Sequence, residues 1–189
     1  MSRDQIIAEQ HENAVVIFAD IVGFTARAKS LAAEDLVDKL DRIFSACDAL
    51  ADLHGIEKIK TIGDAYFAVA GLRSNDIDPI DRMMHFALDL NRLGSRMKDV
   101  WPDLKFRIAV HNGPVVSGVI GKSRFAYDIW GDTINFASRL VSFCQPDEIL
   151  ISHETETVAR MKFDLATSRK LDLRDIGFVE AFPLIPQNR

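Results

Sequence analysis

Apolar residues in this chain fall into short unbroken runs and helical stripes, separated by polar or glycine-containing turns. Ala14-Val15-Val16-Ile17-Phe18-Ala19 is continuous up to Asp20, the pattern of a strand covered on both faces. After Gly23-Phe24-Thr25, apolar positions recur at Leu36, Leu40, Ile43, Phe44, Cys47 and Leu50. Those steps of three and four predict a helix with one buried stripe, ended by His54-Gly55. Residues 56–70 predict two short strands broken at Gly63-Asp64, a hairpin. A polar turn at 75–79 leads into a second helix over about 80–98, with Met83, Met84, Ala87, Leu88 and Met97 on or near one face as core filler. Trp101-Pro102 closes it. Strands predicted at 104–111 and 115–120 flank Asn112-Gly113-Pro114. A third helix over 132–143 follows, capped by Asp132. A strand at 148–152, a helix at 153–160 and strands near 170–173 and 178–184 complete the chain. Strands and helices are mixed and hairpins are present, which predicts α+β or α/β with a mixed sheet, not a doubly wound parallel one.

The length of 189 residues suits one domain with a sizeable core, and 48% hydrophobic with 27% charged residues is a soluble globular profile. Nothing in it reads as a linker, repeat or low-complexity tract. The division predicted is a lead-in over 1–12, a domain over 13–185 and a short tail over 186–189. A net charge of -5 argues against nucleic-acid binding, which needs a basic footprint. It leaves a nucleotide substrate open, because metal ions offset phosphate charge. No apolar stretch approaches the roughly 18 residues of a membrane span, and the first ten residues hold no apolar signal core. Cys47 and Cys144 lack metal-ligand spacing and sit in apolar surroundings. Buried free thiols in a reducing compartment are expected, and with them a cytoplasmic location, alone or as the soluble domain of a larger membrane-associated protein.

Two segments carry candidate chemistry: Phe18-Ala19-Asp20-Ile21-Val22-Gly23-Phe24-Thr25 and Lys58-Ile59-Lys60-Thr61-Ile62-Gly63-Asp64. Each is an apolar strand delivering an aspartate to a turn beside glycine. Either aspartate alone could be an exposed turn residue; together they form a candidate two-metal site, with hard oxygen ligands suited to Mg²⁺ or Mn²⁺. Backbone N–H groups between Asp20 and Thr25 could cradle phosphate oxygens, with Ile21, Val22, Gly23 and Phe24 between them. A third segment, Tyr127 through Leu140, places Asn135 and Arg139 four apart on one helix face. That pair suits a structural role, or ribose positioning and charge neutralisation at a phosphoryl group. Lys60 and Asp128 suit ordinary surface positions, or a hydrogen-bonding pair that reads a purine edge.

In these three segments, and over roughly 13–184, the chain resembles the catalytic domain of the class III nucleotidyl cyclases, the adenylyl and guanylyl cyclase family. The resemblance implies an α+β class III nucleotidyl cyclase fold: a ferredoxin-like βαββαβ core with a mixed, mainly antiparallel sheet flanked by helices. It implies two divalent metal ions, Mg²⁺ or Mn²⁺, at Asp20 and Asp64 with the adjoining Ile21. It places base recognition on Lys60 and Asp128, the adenylyl-type pair where guanylyl cyclases carry Glu and Cys or similar. The family's transition-state Asn and Arg fall on Asn135 and Arg139. A Lys-Gly-Lys-Gly-like turn that contacts distal phosphates in the family is replaced here by Leu173-Arg174-Asp175-Ile176-Gly177. Arg174 keeps the positive charge, and Asp175 stands where the family has glycine.

The implied reaction is ATP to 3′,5′-cyclic AMP and pyrophosphate, at sites shared across a head-to-tail homodimer. Every role is present in one sequence, so two equivalent sites are expected, with a fused or separate sensor domain as the regulator. The competing readings are a catalytically silent nucleotide-binding or dimerisation module, and a guanylyl or relaxed purine cyclase.

Overall fold

The computed structural model of the protein describes residues 7–73, 76–121 and 125–186. Its elements run β1 (Ile7–Ile21), α1 (Phe24–Ala28), α2 (Ala33–His54), β2 (Glu57–Ile62), β3 (Ala65–Ala70), α3 (Pro79–Arg96), β4 (Phe106–Ile120) and β5 (Ala126–Trp130). They continue through α4 (Asp132–Leu140), a single 3-10 turn (Val141–Phe143), β6 (Glu148–Ser152), α5 (His153–Ala159), β7 (Arg169–Leu173) and β8 (Gly177–Pro183). The strands form one sheet ordered β2-β3-β1-β4-β6-β8-β7, with β5 pairing β4 off that path. β4 and β6 run parallel, while the other pairs of described strands are antiparallel. The order β2-β3-β1-β4, with α2 and α3 as the connecting helices, is the ferredoxin-like βαββαβ arrangement that the resemblance implies.

Alternation along β1 explains why its apolar run is unbroken. Val15, Ile17, Ala19 and Ile21 point to one face, where α2 and α3 supply Ile43, Phe44, Cys47, Met83, Met84, Phe86 and Leu90. Ala14, Val16 and Phe18 point to the other, where α4 supplies Ala137 and Leu140. By the same alternation Asp20 follows Phe18 onto the α4 side. Burying both faces removes several hundred Å² of apolar surface from water, the main source of stability. Gly94 of α3 lets that helix sit directly on the chain after it: a methyl there would lie 2.1 Å from the Leu104 carbonyl oxygen.

Five details depart from the sequence pattern. β1 begins at Ile7, so the second half of the expected lead-in is strand; the lead-in's first six residues and the tail's last three lie outside the described residues. Among residues 8–13 only His11 is buried, so this stretch is held by pairing to β4 and carries no apolar signal. Residues 104–120 do not form two strands around a turn. They form the continuous β4, because Gly113 and Pro114 sit opposite a one-residue bulge in β1 between His11 and Ala14. β5 is not foreseen by the pattern; only Ile129 in it is buried. Helix α4 stops at Leu140 and tightens into the 3-10 turn. Its cap residue is Gly131, which leaves Asp132 in the first turn instead of at the cap.

Candidate active site

Asp20 lies next to last in β1, in register with Ala65 of β3 and Arg107 of β4. Asp64 occupies the β2–β3 turn, where Gly63 takes a left-handed φ of 63° that a side chain would strain. The Ile21 N–H donates to the Asp64 carbonyl oxygen at 3.4 Å, docking that turn against the strand end. Burial raises the pKa of Asp20 above the usual carboxylate range, the Asp64 charge raises it further, and Arg107 pulls it back. Arg107 is a site residue that sequence reasoning missed, although a lone charge inside the apolar stretch Phe106–Val110 was a signal. Two half-buried carboxylates that repel each other form a donor set that a hard divalent cation would relieve. Among the described residues no group of three or more His, Cys, Asp or Glu side chains could hold a metal ion. The fit is therefore to a cation that takes its remaining ligands from backbone oxygen, substrate and water.

Beyond Ile21 the chain turns at Gly23, whose φ of 70° starts α1. The Val22 N–H already donates to the Lys105 carbonyl at 2.9 Å, and the Ile21 N–H is engaged as above. The amides left for an anion are those of Gly23, Phe24 and Thr25, where a helix start has no internal acceptors. The expected cradle is thus its second half only.

Lys60 and Asp128 meet although 68 positions separate them: the lysine Nζ pairs with the Asp128 Oδ2 across β2 and β5. The second carboxylate oxygen of Asp128 accepts from the Ile129 N–H at 2.9 Å, which fixes the side chain's orientation. The hairpin carrying Lys60 and Asp64 is itself clamped to α2. Asp48 accepts from the Tyr66 hydroxyl and from Lys58 Nζ, each at 2.7 Å.

Asn135 and Arg139 lie on one face of α4 as predicted. The start of that helix is fixed by the Thr133 hydroxyl, which donates to the Pro114 carbonyl at 2.7 Å. Its middle is fixed by Phe136, which stacks on the His111 ring at 4.1 Å. His111 is buried and hydrogen-bonded through Nδ1 to the Ser152 hydroxyl at 2.7 Å, so the face of α4 rests on a polar network in the core. Arg139 Nη2 pairs with Asp175 Oδ2 at 3.3 Å; Arg174 is almost wholly exposed and lies 3.7 Å from the same oxygen. A cavity of 890 Å³ opens beside this face, lined by Asn135, Arg139, His111, Trp130, Glu154 and Asp175 among others.

The described residues lining that cavity include neither Asp20 nor Asp64. The reason is geometric. α4 starts at Gly131, beside Pro114, where β4 lies opposite Ala14. Asp20 is six residues further along β1, about 20 Å of strand. Asn135 recovers only one helical turn of that, about 5 Å. The structure therefore holds two separate groups, one of carboxylates and one of Asn135 and Arg139.

A profile of the Adenylate and Guanylate cyclase catalytic domain matches residues 6–185. The chain belongs to this family. It is 40% identical over 181 residues to an adenylate cyclase of Mycobacterium tuberculosis, covering 95% of this chain and 41% of that protein. The chain thus spans about two fifths of that relative's length. Among solved structures, the catalytic core of a rhodopsin-guanylyl cyclase with converted specificity, in complex with ATPalphaS, superposes with a TM-score of 0.88 at 31% identity, covering 94% of this chain and 97% of that one. The guanylate cyclase domain of RhGC from Catenaria anguillulae, in complex with GTP, gives 0.90 at 29% identity, covering 95% of this chain and all of that one. This cyclase catalytic domain has the α+β fold of its relatives, and no helix among its described residues is long and apolar enough to cross a membrane.

Proposed function

We propose that this cyclase domain is an adenylyl cyclase, converting ATP to 3′,5′-cyclic AMP and pyrophosphate at sites shared by a head-to-tail homodimer. The observation that carries the adenine assignment is the Lys60–Asp128 pair. Adenine presents an acceptor at N1 and a donor at N6, which a lysine donor and a carboxylate acceptor complement. Guanine reverses the polarity at both positions and would leave partly buried groups unsatisfied, which is costly.

The ribose 3′-hydroxyl gives its proton to solvent as its oxygen bonds to the α-phosphorus and the bond to the leaving pyrophosphate oxygen breaks. Asn135 positions the ribose and Arg139 neutralises charge that develops on the α-phosphoryl group. Asp20, Asp64 and the adjoining Ile21 would hold two divalent ions, Mg²⁺ or Mn²⁺, which supply charge neutralisation at the triphosphate and a lower pKa for the attacking hydroxyl. Amides of the turn from Gly23 to Thr25 and the Arg174 guanidinium would contact the outer phosphates. No side chain is assigned as a dedicated base; positioning and electrostatics supply most of the rate.

The distance between the two groups supports the dimer. The ribose and the α-phosphate of one nucleotide adjoin, so Asn135 and Asp20 of one protomer cannot both serve them. A partner's carboxylates completing the cavity beside Asn135 resolves this. Ile62, Ile120, Phe125, Tyr127 and Trp130 expose apolar surface on and around β2, β4 and β5, a suitable contact for a second copy. A fused or separate sensor would act by changing how the protomers meet. Cys47 and Cys144 are buried free thiols, in keeping with the proposed reducing, cytoplasmic setting.

The test mixes two inactive variants, Asp20→Ala/Asp64→Ala and Asn135→Ala/Arg139→Ala, and assays cyclic AMP formation from ATP with Mn²⁺. Activity recovered in the mixture is expected. A silent mixture of exchanging dimers, beside an active wild type, would place the whole site within one chain.

A further inference from the structure

Arg139 is the cation that the proposed reaction needs, yet in this structure it already has an anion. Asp175 sits in the β7–β8 turn, which the Ile176 N–H closes onto the Leu173 carbonyl at 3.0 Å. Its φ of 60° is left-handed, a conformation aspartate tolerates at a cost. In this turn the Asp175 carboxylate lies 3.3 Å from Arg139 and 3.7 Å from Arg174, between the two cations. Asp175 and Arg139 also line both the 890 Å³ cavity and a second one of 600 Å³ that Arg174 borders. The ion pair is the wall common to the two spaces.

We propose that Asp175 sets substrate affinity as an internal competitor: its carboxylate occupies Arg139 until a phosphate group of the nucleotide displaces it. This deepens the adenylyl cyclase reading and rests on it. A phosphoryl oxygen and the Asp175 carboxylate seek the same guanidinium donors, and the two anions repel each other once both are near it. Bound substrate therefore requires the pair to open, which joins the two cavities and brings Arg174 toward the same phosphate chain. The lysine-free turn keeps one cation, Arg174, and adds an anion that masks Arg139 on α4.

The competition is exposed to solvent, with Asp175 two-thirds accessible, so its effect is modest and sensitive to salt. Asp175→Asn removes the charge while keeping the size and the tolerance of a left-handed φ; Asp175→Gly also removes the backbone strain. In both variants the KM for ATP is expected to fall about two- to five-fold, the range of an exposed ion pair. kcat should stay within about two-fold, since no contact made only in the transition state is lost. The inhibition constant of inorganic pyrophosphate should fall in proportion, and the gap to wild type should narrow between 50 and 500 mM salt, concentrations chosen to span most of the screening range. An unchanged KM in both variants would overturn the proposal. So would a raised KM, which would make Asp175 a group that helps to bind substrate. If the wild type turns over neither ATP nor GTP, the cyclase reading fails instead. Calorimetric binding of pyrophosphate to wild type and Asp175→Asn then decides the role of Asp175, tighter binding by the variant supporting it and equal or weaker binding refuting it.

Discussion

Replacing Lys60 with methionine separates base reading from strand packing. The Lys60 charge meets an Asp128 carboxylate whose side chain is 18% exposed, while the lysine itself is 43% exposed. An ion pair this open contributes at most about 1 kcal/mol to folding, so Lys60→Met should shift the melting temperature by no more than about 2–4 °C. The effect on catalysis should be much larger. If Lys60 donates to adenine N1, the lost hydrogen bond to a charged group is worth about 1.5–3 kcal/mol, or about 10- to 150-fold in kcat/KM for ATP. GTP, which presents a donor instead of an acceptor at N1, should lose far less, so the ATP-to-GTP preference should collapse by most of the same factor. Asp128→Asn gives an independent check. Its amide keeps an oxygen for the Ile129 N–H and turns a donor NH2 toward the base, which suits guanine O6 better than adenine N6, so discrimination should narrow with a smaller loss of ATP turnover. The assay is initial-rate kinetics with both nucleotides at one fixed Mn²⁺ concentration, alongside thermal melting. An equal loss for ATP and GTP would refute the reasoning, because it would mean the pair only holds β2 against β5.

Two further outcomes test the fold beneath the site. Gly94→Ala forces a methyl to within 2.1 Å of the Leu104 carbonyl oxygen in a buried contact; overpacking of this kind costs about 1–3 kcal/mol, and a melting temperature lowered by about 5–10 °C is expected. His111 is held below the ordinary histidine value by burial, against a weaker upward pull from Glu154 at 3.6 Å. The sign follows from the depressed folded pKa: the stabilising contribution is present above pH 6.5 and is lost as pH falls through that lower value. Urea midpoints measured at pH 8, 6.5 and 5 should therefore fall less for His111→Phe, which keeps a ring against Phe136, than for wild type; parallel curves would refute this.

What the sequence disclosed followed from how local each signal is. Asp20 and Asp64 were legible because each ends an apolar run near a glycine, and Gly23 and Gly63 take a positive φ that glycine adopts without strain. Asn135 and Arg139 were legible from spacing on one helix. β5 and the first half of β1 were not, because they are held by backbone pairing to β4 and bury little beyond Ile129 and His11. Arg107 and the Asp48 clamp were hidden for another reason: their partners lie across the sheet or on α2, and no residue near them in sequence marks the contact.

The same distinction bears on assembly. Here the Thr133 hydroxyl, bonded to the Pro114 carbonyl, anchors α4 far along the β1–β4 pair from Asp20. Beyond the bulge the paired β1–β4 ribbon continues to Val119, and β5 folds back along it with Asp128 at its centre. Asp128 and Asn135 are thereby supported by the extended end of the ribbon, whereas Asp20, Asp64 and Lys60 stand at the other end, on β1 and the β2–β3 hairpin. Shortening that ribbon would not bring the groups together, since α4 would still start at Gly131. The two-fold axis of the proposed homodimer would do so without further elements, by setting the carboxylate end of one ribbon against the α4 face of the other and creating two equal sites at once.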